Sequence, residues 1–324
     1  MPTDAAAIII FALTYLAMAL GRTPGLRLDR TGAALAGAAA MVATGVLPLG
    51  RAYRAIDLGT LTLLLGMMIV VANLRLSGFL AAAGAALAAR AHHPLVLLAV
   101  VVLVTGVLSA FLVNDAVCLV LTPLVCGIAA RLRRDPVPYL LAVAMASNAG
   151  SVATITGNPQ NMIIGAMSHI PYAAFAARLA PIAAVGLAID FAVVAIAFRA
   201  SLARETDEAP ESSHGSELAG DPAGEPDRQL LRKGAVVLAA LVVGFFAGAP
   251  VAIVALGAAA VLLLGRVRPE RLYPQIDWSL LVMFAGLFVV VGAFERRVVS
   301  GWDLAALAHV QRAPVALLTG VSVL

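Results

Sequence analysis

Long apolar runs follow one another along most of the chain, and short polar or arginine-bearing segments separate them. They cover about residues 5–21, 29–49, 57–74, 93–113, 116–130, 138–166, 172–199, 234–248, 250–265, 276–295 and 313–324. Several reach the roughly 20 residues that a membrane-spanning helix needs, whereas the 116–130 run is too short for a full crossing. The pattern predicts an all-α polytopic membrane protein whose first span is retained, because residues before it carry no positive charge typical of a cleaved signal.

Composition supports the membrane class and narrows the function. The chain is 62% hydrophobic and 12% charged, with a mean hydropathy of +0.98. The net charge of +4 comes from arginines scattered among short loops, which is typical of topology signals and not of a nucleic-acid surface. Cys118 and Cys126 share one apolar run without a partner at metal-ligand spacing, so we interpret them as packing residues.

An internal repeat is visible when the chain is shifted along itself by 220 positions. The shift aligns Gly37–Ala40 with Gly257–Ala260, Ile56-Asp57 with Ile276-Asp277, Gly66 with Gly286 and Val70-Val71 with Val290-Val291. At shifts of 223 and 214, Ser77-Gly78 falls on Ser300-Gly301 and Thr105-Gly106-Val107 on Thr319-Gly320-Val321. Ordered blocks of this kind indicate a duplication, as in many transporters. Asp57 and Asp277 occupy matching positions at helix starts, where we expect N-caps.

The repeat divides the chain into three predicted parts. Residues 1–199 form the first transmembrane repeat, 200–233 a flexible linker rich in acids, Pro, Gly and Ser, and 234–324 the second repeat. We expect the second repeat to continue past Leu324, because the chain stops before the second copy of the polar segment that follows Thr105-Gly106.

Arginine distribution predicts the orientation. If residues 93–130 form a hairpin that enters and leaves by one side, the first repeat has five crossings and the second repeat is inverted. Two groups of arginines then face opposite sides: Arg22, Arg27, Arg30, Arg75, Arg90, Arg131, Arg133 and Arg134 against Arg51 and Arg54. The larger group should be cytoplasmic, which places the N-terminus outside and the linker in the cytoplasm. We expect the protein to lie in the inner membrane.

Asn114 and Asp115 form the polar centre of the predicted hairpin, at about residues 93–130. An ionisable group at membrane depth is costly and marks a candidate functional site. We expect Asn114 or Asp115 to cap the returning helix while the remaining oxygens face a cation or a coupling proton. The alternative is an ordinary surface turn between two spanning helices.

A polar segment, Ser147 to Asn161, interrupts the apolar run and predicts a broken helix over about 138–166. Gly150 and Gly157 permit unusual φ values, and Pro159 suits the first turn of a new helix. A half-helix N-terminus inside the protein favours an anion, while freed carbonyls and polar side chains can ligate a cation. The candidate side chains are those of Ser151, Thr154, Thr156 and Asn158. The alternative is a kinked helix that is satisfied by its own hydroxyls.

These two segments resemble the ion transporter superfamily, and within it bacterial permeases with a citrate-transporter-like domain, which are related to divalent anion/sodium symporters and arsenite efflux permeases. The resemblance rests on the Asn-Asp tip followed by Leu121-Thr122-Pro123, and on the Gly150 to Asn161 segment. It implies an inverted-repeat, elevator-type transporter with a re-entrant hairpin and broken helices, often dimeric. The tip motif of the dicarboxylate branch is Ser-Asn-Thr, whereas this chain has Val113-Asn114-Asp115.

We therefore predict a secondary active transporter of a small inorganic or carboxylate anion, coupled to a sodium or proton gradient by alternating access. The candidate substrate and ion ligands are Asn114, Asp115, Thr122, Asn148, Gly150, Ser151, Thr154, Thr156, Gly157, Asn158, Pro159 and Asn161. A sodium site is expected at Asn114, Asp115, Ser151 and Asn158, and proton coupling at Asp115 or at Asp190. The alternative for Asp190 is a structural role in the bundle interior.

Other functions remain alternatives at this point. A cation/proton antiporter would use the same carboxylate, and a passive channel would need no coupling. An intramembrane protease would pair Ser151 with His169, although neither the repeat nor Pro159 is expected for it. For the transporter we expect no cofactor beyond the coupling ion, and as partners a small ionic substrate, membrane lipid and a second copy of the chain, but no nucleic acid.

Overall fold

A computed structural model describes residues 2–21, 28–79, 82, 93–203, 228–264, 267 and 269–301. Regular structure throughout these ranges is helical. Seven of the described helices are long and apolar enough to cross a membrane. The prediction of an all-α polytopic membrane protein is confirmed. Three parts of the prediction lie outside the described residues: the acidic stretch 204–227 of the linker, the Thr319 block of the repeat, and Arg22, Arg27 and Arg90.

The helices follow the apolar runs, with starts and ends set by Pro and by polar residues. They are α1 (Pro2–Leu20), α2 (Arg30–Ala43), α3 (Leu49–Ala55), α4 (Leu58–Leu76), α5 (Pro94–Phe111), α6 (Asn114–Arg131), α7 (Val137–Ser151), α8 (Pro159–Ser168), α9 (Tyr172–Ala197), α10 (Arg199–Ala203), α11 (Arg228–Phe246), α12 (Val251–Leu263), α13 (Pro269–Leu272) and α14 (Trp278–Arg297). Asp57 and Asp277 directly precede α4 and α14, at the position where an N-cap is expected.

One compact unit consists of residues 1–58 and 278–324, in which the described helices are α1, α2, α3 and α14. Small residues bring these helices close together: a Cβ added at Gly37 would lie 2.2 Å from the Thr14 hydroxyl oxygen. The rings of Phe11 and Phe294 stack with their centroids 4.1 Å apart. Packing through small and aromatic residues is what holds helices together in lipid, where apolar burial alone gives little preference for a neighbouring helix.

The second compact unit consists of residues 59–277 and contains the predicted hairpin and broken helix. α5 and α7 run parallel, since Tyr139 near the start of α7 donates its hydroxyl hydrogen to the Pro94 carbonyl at the start of α5 (3.5 Å). Their far ends cross at Gly106 and Gly150, where a Cβ on Gly150 would lie 2.3 Å from the Gly106 carbonyl oxygen. The two helices therefore form one tightly packed pair.

Equivalent glycines make equivalent contacts in the two units. A Cβ at Gly66 of α4 would lie 2.9 Å from the backbone carbon of Ala255 in α12, and one at Gly286 of α14 would lie 2.9 Å from that of Ala34 in α2. Gly66 and Gly286 are related by the 220-residue shift, and their partners by the same shift within one residue. This correspondence supports the duplication, and it means that each unit contains helices from both predicted repeats.

Candidate functional site

The helix break lies where the sequence predicts it. α7 ends at Ser151 and α8 begins at Pro159, whose missing N–H is not needed in the first turn. Asn158 is the N-cap of α8, and its side-chain oxygen accepts a hydrogen bond from the Asn161 N–H (2.8 Å). Residues 152–158 between the two helices are turns and bends. The backbone of these residues consequently seeks partners outside a regular helix.

The two glycines of the break are required for a different reason from the one predicted. Neither Gly150 nor Gly157 has a left-handed φ, so the prediction of unusual φ values is wrong. Both glycines instead allow another backbone to approach: a Cβ on Gly157 would lie 2.1 Å from the Ser151 carbonyl oxygen, and Gly150 meets Gly106 as described above. Close backbone approach is the second common use of glycine.

The hairpin tip is docked onto the break. α5 and α6 are joined by Leu112 and Val113, after which the Asn114 N–H donates to the Gly157 carbonyl (3.0 Å). The Asn114 carbonyl accepts from the Ser147 hydroxyl (3.0 Å). The Asn114 side-chain nitrogen donates to the side-chain oxygen of Asn148 (3.3 Å). Three separate hydrogen bonds therefore connect Asn114 to the broken helix.

Two expectations about this tip are wrong. Val113 is the N-cap of α6 and makes no side-chain capping bond, so neither Asn114 nor Asp115 caps the helix. Both residues already belong to α6, and Asn114 is hydrogen-bonded to the broken helix instead. Because Asn114 and Asp115 belong to the helix, α6 has 18 residues and is long enough to cross a membrane, although the apolar run 116–130 alone was expected to be too short.

The depth of the tip can be estimated along α9, whose 26 residues span about 39 Å. Ala110 at the end of α5, Ala153 in the break and Ala183 of α9 form one buried cluster. Ala183 is the twelfth residue of α9, close to its middle. The tip and the break therefore lie level with the middle of α9.

The carbonyl groups freed by the break converge on a single side chain. The amide nitrogen of Asn161 lies 3.2 Å from the Ser151 carbonyl oxygen, 3.3 Å from that of Val152 and 2.9 Å from that of Thr154. The Ser151 hydroxyl donates to the Asn148 carbonyl (2.8 Å) and accepts from the Asn158 amide (3.0 Å). In this structure the predicted ligands are thus mainly bound to one another.

A buried hydroxyl network continues on the other side of the break. The Thr154 hydroxyl contacts the Ala110 carbonyl and lies 3.3 Å from the Thr156 hydroxyl, which in turn lies 2.9 Å from the hydroxyl of Tyr172. Tyr172 stacks on Phe245 of α11 with ring centroids 5.0 Å apart. Sequence reasoning missed Tyr172, because its partner is 16 residues away and no local pattern relates the two.

Thr105 and Ser109 of α5 were also missed. Both side chains are fully buried, and within the described part of the chain neither hydroxyl has a hydrogen-bond partner. The side-chain oxygen of Asn114 is likewise buried without a partner there. Thr105 and Ser109 are four residues apart, so they lie on one face of α5, and this polar spacing in an apolar helix is a signal that could have revealed them. Unsatisfied buried oxygens are exceptional and suggest a functional role.

Several other predicted residues are exposed. Asp115 and Thr122 are exposed on α6, and Asn148 is exposed although it is bonded to Asn114. His169 is exposed in a left-handed conformation at the end of α8, while the Ser151 hydroxyl is bonded within the break. The geometry does not form the pair that a serine protease would need.

Comparison with known proteins identifies relatives of this chain. A family model described as citrate transporter matches residues 8–324. A 46 kDa membrane protein of Mycobacterium leprae is 31% identical over 300 residues, which cover 90% of this chain and 68% of that protein. An uncharacterized transporter of Mycobacterium tuberculosis is 31% identical over 302 residues, with the same two shares. A silicon efflux transporter of rice is 35% identical over 182 residues, or 56% of this chain and 38% of that protein.

Proposed function

Because this chain belongs to the citrate transporter family of membrane transporters, we propose that it is a secondary active transporter of a small anion, driven by a sodium or proton gradient. The observation that carries the proposal is the docking of the hairpin tip onto the helix break, level with the middle of α9. Broken helices at mid-depth are where transporters bind substrates and coupling ions.

The electrostatics of the site suit an anion and a cation together. The buried N-terminus of α8, at Asn158 and Pro159, carries a partial positive charge that favours an anion. The unpartnered oxygens of Asn114 and Ser109 are ligands of the type that a small hard cation prefers. Binding an anion only when a cation is also present would couple the two movements.

The packing of the hairpin with the broken helix supports the proposed alternating access. α5 and α7 meet at the Gly106–Gly150 crossing without intervening side chains, so the pair is expected to move as one rigid body in an elevator-type transition. The proposal includes a homodimer, as the family resemblance implies. From the arginine distribution it also includes an inner-membrane location with the N-terminus outside and the linker 200–233 in the cytoplasm.

The proposal is tested with the full chain in proteoliposomes, under a sodium gradient or a pH gradient imposed separately. The probes are labelled citrate, from the family description, arsenite, from the related efflux permeases, and silicic acid, from the rice relative. Accumulation above equilibrium under one gradient is expected. Flux that only equilibrates would indicate a channel, and proton-driven sodium movement without any anion would indicate a cation/proton antiporter.

Site variants connect the flux to the tip and the break. Asn114→Ala and Asn158→Ala are each expected to abolish accumulation while leaving membrane insertion normal. Asn73→Ala is the matched control, because Asn73 is also a buried asparagine but donates only to the Ile69 carbonyl of its own helix (2.9 Å). The same loss is expected for Asp115→Ala, and normal accumulation in that variant at every pH and sodium concentration would remove Asp115 from the ion site.

A further inference from the structure

Asp190 is a carboxylate that the tip and the break do not use, and it is the nineteenth of the 26 residues of the membrane-spanning helix α9. One of its oxygens, Oδ2, is buried and has no hydrogen-bond partner within the described residues. Asp190 lies seven residues after Ala183 and four before Val194, which are both buried. These spacings place it on the same buried face of α9.

The buried face of α9 packs on the helices that carry the tip and the break. The Leu187 side chain fills the space beside Gly106 of α5, and a Cβ added at Gly186 would lie 3.3 Å from the Ala149 side chain of α7. Asp190 is one helical turn further along. It therefore sits on the surface along which the α5–α7 pair contacts α9.

Within the described residues, no donor of the helices that pack on α9 is hydrogen-bonded to this oxygen, although α5 carries the hydroxyls of Thr105 and Ser109. α5 contains no titratable residue, and the only one in α7 is Tyr139, whose hydroxyl donates to Pro94. The charged residues of the other two helices that pack on α9 are Arg199 in α10 and Arg228, Arg232 and Lys233 in α11, and none of them donates to Oδ2. An ionised carboxylate in such a place is costly, whereas the neutral acid is tolerated.

We propose that Asp190 takes up and releases the coupling proton of this transporter. The inference rests on the proposed coupled transport and narrows the coupling ion to a proton. While the α5–α7 pair packs against α9, Oδ2 stays covered and the side chain is held as the carboxylic acid. When the pair shifts along α9, water reaches the carboxyl, the proton leaves to that side, and the carboxylate remains hydrated until a proton from the same or the opposite side neutralises it again.

This arrangement links protonation to movement by a simple rule. Only the neutral form fits the packed interface, so the α5–α7 pair closes over α9 after a proton has bound. Asp115 does not share this property, because it is exposed on the first turn of α6. The buried Oδ2 of Asp190, whose side chain is otherwise half-buried, therefore distinguishes it from Asp115.

Infrared difference spectroscopy of the full chain in lipid tests the protonation directly, without any substrate. Between alkaline and acidic buffer, a C=O stretch of a carboxylic acid in apolar surroundings is expected. Asp190→Asn should remove it, Asp190→Glu should keep it at a shifted frequency, and Asp115→Asn should leave it unchanged. A band that persists in Asp190→Asn would overturn the inference, and so would its loss in Asp115→Asn alone.

Transport in proteoliposomes tests the coupling. With whichever of citrate, arsenite or silicic acid the wild type accumulates, Asp190→Asn should retain exchange of labelled for unlabelled substrate but lose accumulation driven by a pH gradient. Accumulation equal to the wild type would overturn the proton role while leaving the proposed transport intact. If the wild type moves none of the three probes, the proposed function fails, the coupling role fails with it, and the infrared band then identifies only a buried acid.

Discussion

Replacing Asn161 by alanine removes the side chain on which three backbone carbonyls of the helix break converge. The amide nitrogen lies between 2.9 and 3.3 Å from the carbonyl oxygens of Ser151, Val152 and Thr154. The backbone N–H of Asn161 keeps its bond to Asn158 in the variant, so the start of α8 is preserved. The substitution therefore isolates the contribution of the side-chain amide to the shape of the break.

The magnitude follows from hydrogen-bond counting. A primary amide has two N–H donors, so it satisfies two of the three carbonyls well at one time. Each buried acceptor left without a partner costs about 1–3 kcal/mol, and because Asn161 is only half-buried, water can replace part of the loss. We expect local destabilisation of about 2–3 kcal/mol, or a roughly 30- to 150-fold larger opening equilibrium of the break.

Hydrogen exchange of the protein in lipid nanodiscs measures that opening. The reporters are the amides of Ala153 and Gly157, which bond within the break, and that of Asn114, which bonds to it. Asn161→Asp should exchange faster than the alanine variant, because a carboxylate then faces carbonyl oxygens without a hydrogen to donate. Gln160→Ala, at the exposed neighbouring residue, is the control. Wild-type exchange in the aspartate variant would refute the role of the amide.

Two further predictions concern packing and the hydroxyl network. Gly150→Ala places a Cβ against the backbone of Gly106 and should cost about 1–3 kcal/mol, seen as a lower unfolding temperature in detergent. Gly127→Ala, where a Cβ meets nothing within 4 Å, should leave the unfolding temperature unchanged. Equal unfolding temperatures for the two variants would contradict the close crossing. Thr156→Val and Tyr172→Phe each remove one partner of a buried hydroxyl contact and should cost about 1–3 kcal/mol, while the double variant should cost less than their sum. Strictly additive losses would argue against the 2.9 Å contact.

Local chemistry explains which parts of the site could be predicted. Asn158 and Pro159 determine the start of α8 through a capping side chain and a fixed φ, and both effects act within a few residues. The break is therefore visible in the sequence. Its partner is not, because the bond between the Asn114 N–H and the Gly157 carbonyl joins segments that only tertiary packing brings together.

The same distinction explains the errors. The sequence predicts that Gly150 adopts an unusual φ value, whereas its role in the structure is close contact with Gly106, 44 positions earlier in the chain. Asn114 and Asp115 are adjacent and both polar, yet the structure buries the first and exposes the second. Successive residues of a helix point in directions about 100° apart, so the side on which the break docks decides which of them is buried. That side is set by packing against α7.

The first compact unit joins helices from the beginning and the end of the chain, and this has a consequence for biogenesis. The Thr31 hydroxyl donates to the Ser279 carbonyl, 248 residues away, and Arg297 donates to the Val46 carbonyl, 251 residues away. At translation rates of about 5–20 residues per second, α1, α2 and α3 wait in the membrane for roughly 10 to 50 seconds before α14 emerges. During that interval their small-residue faces are open to insertion factors, to quality-control proteases or to the same helices of a second nascent chain.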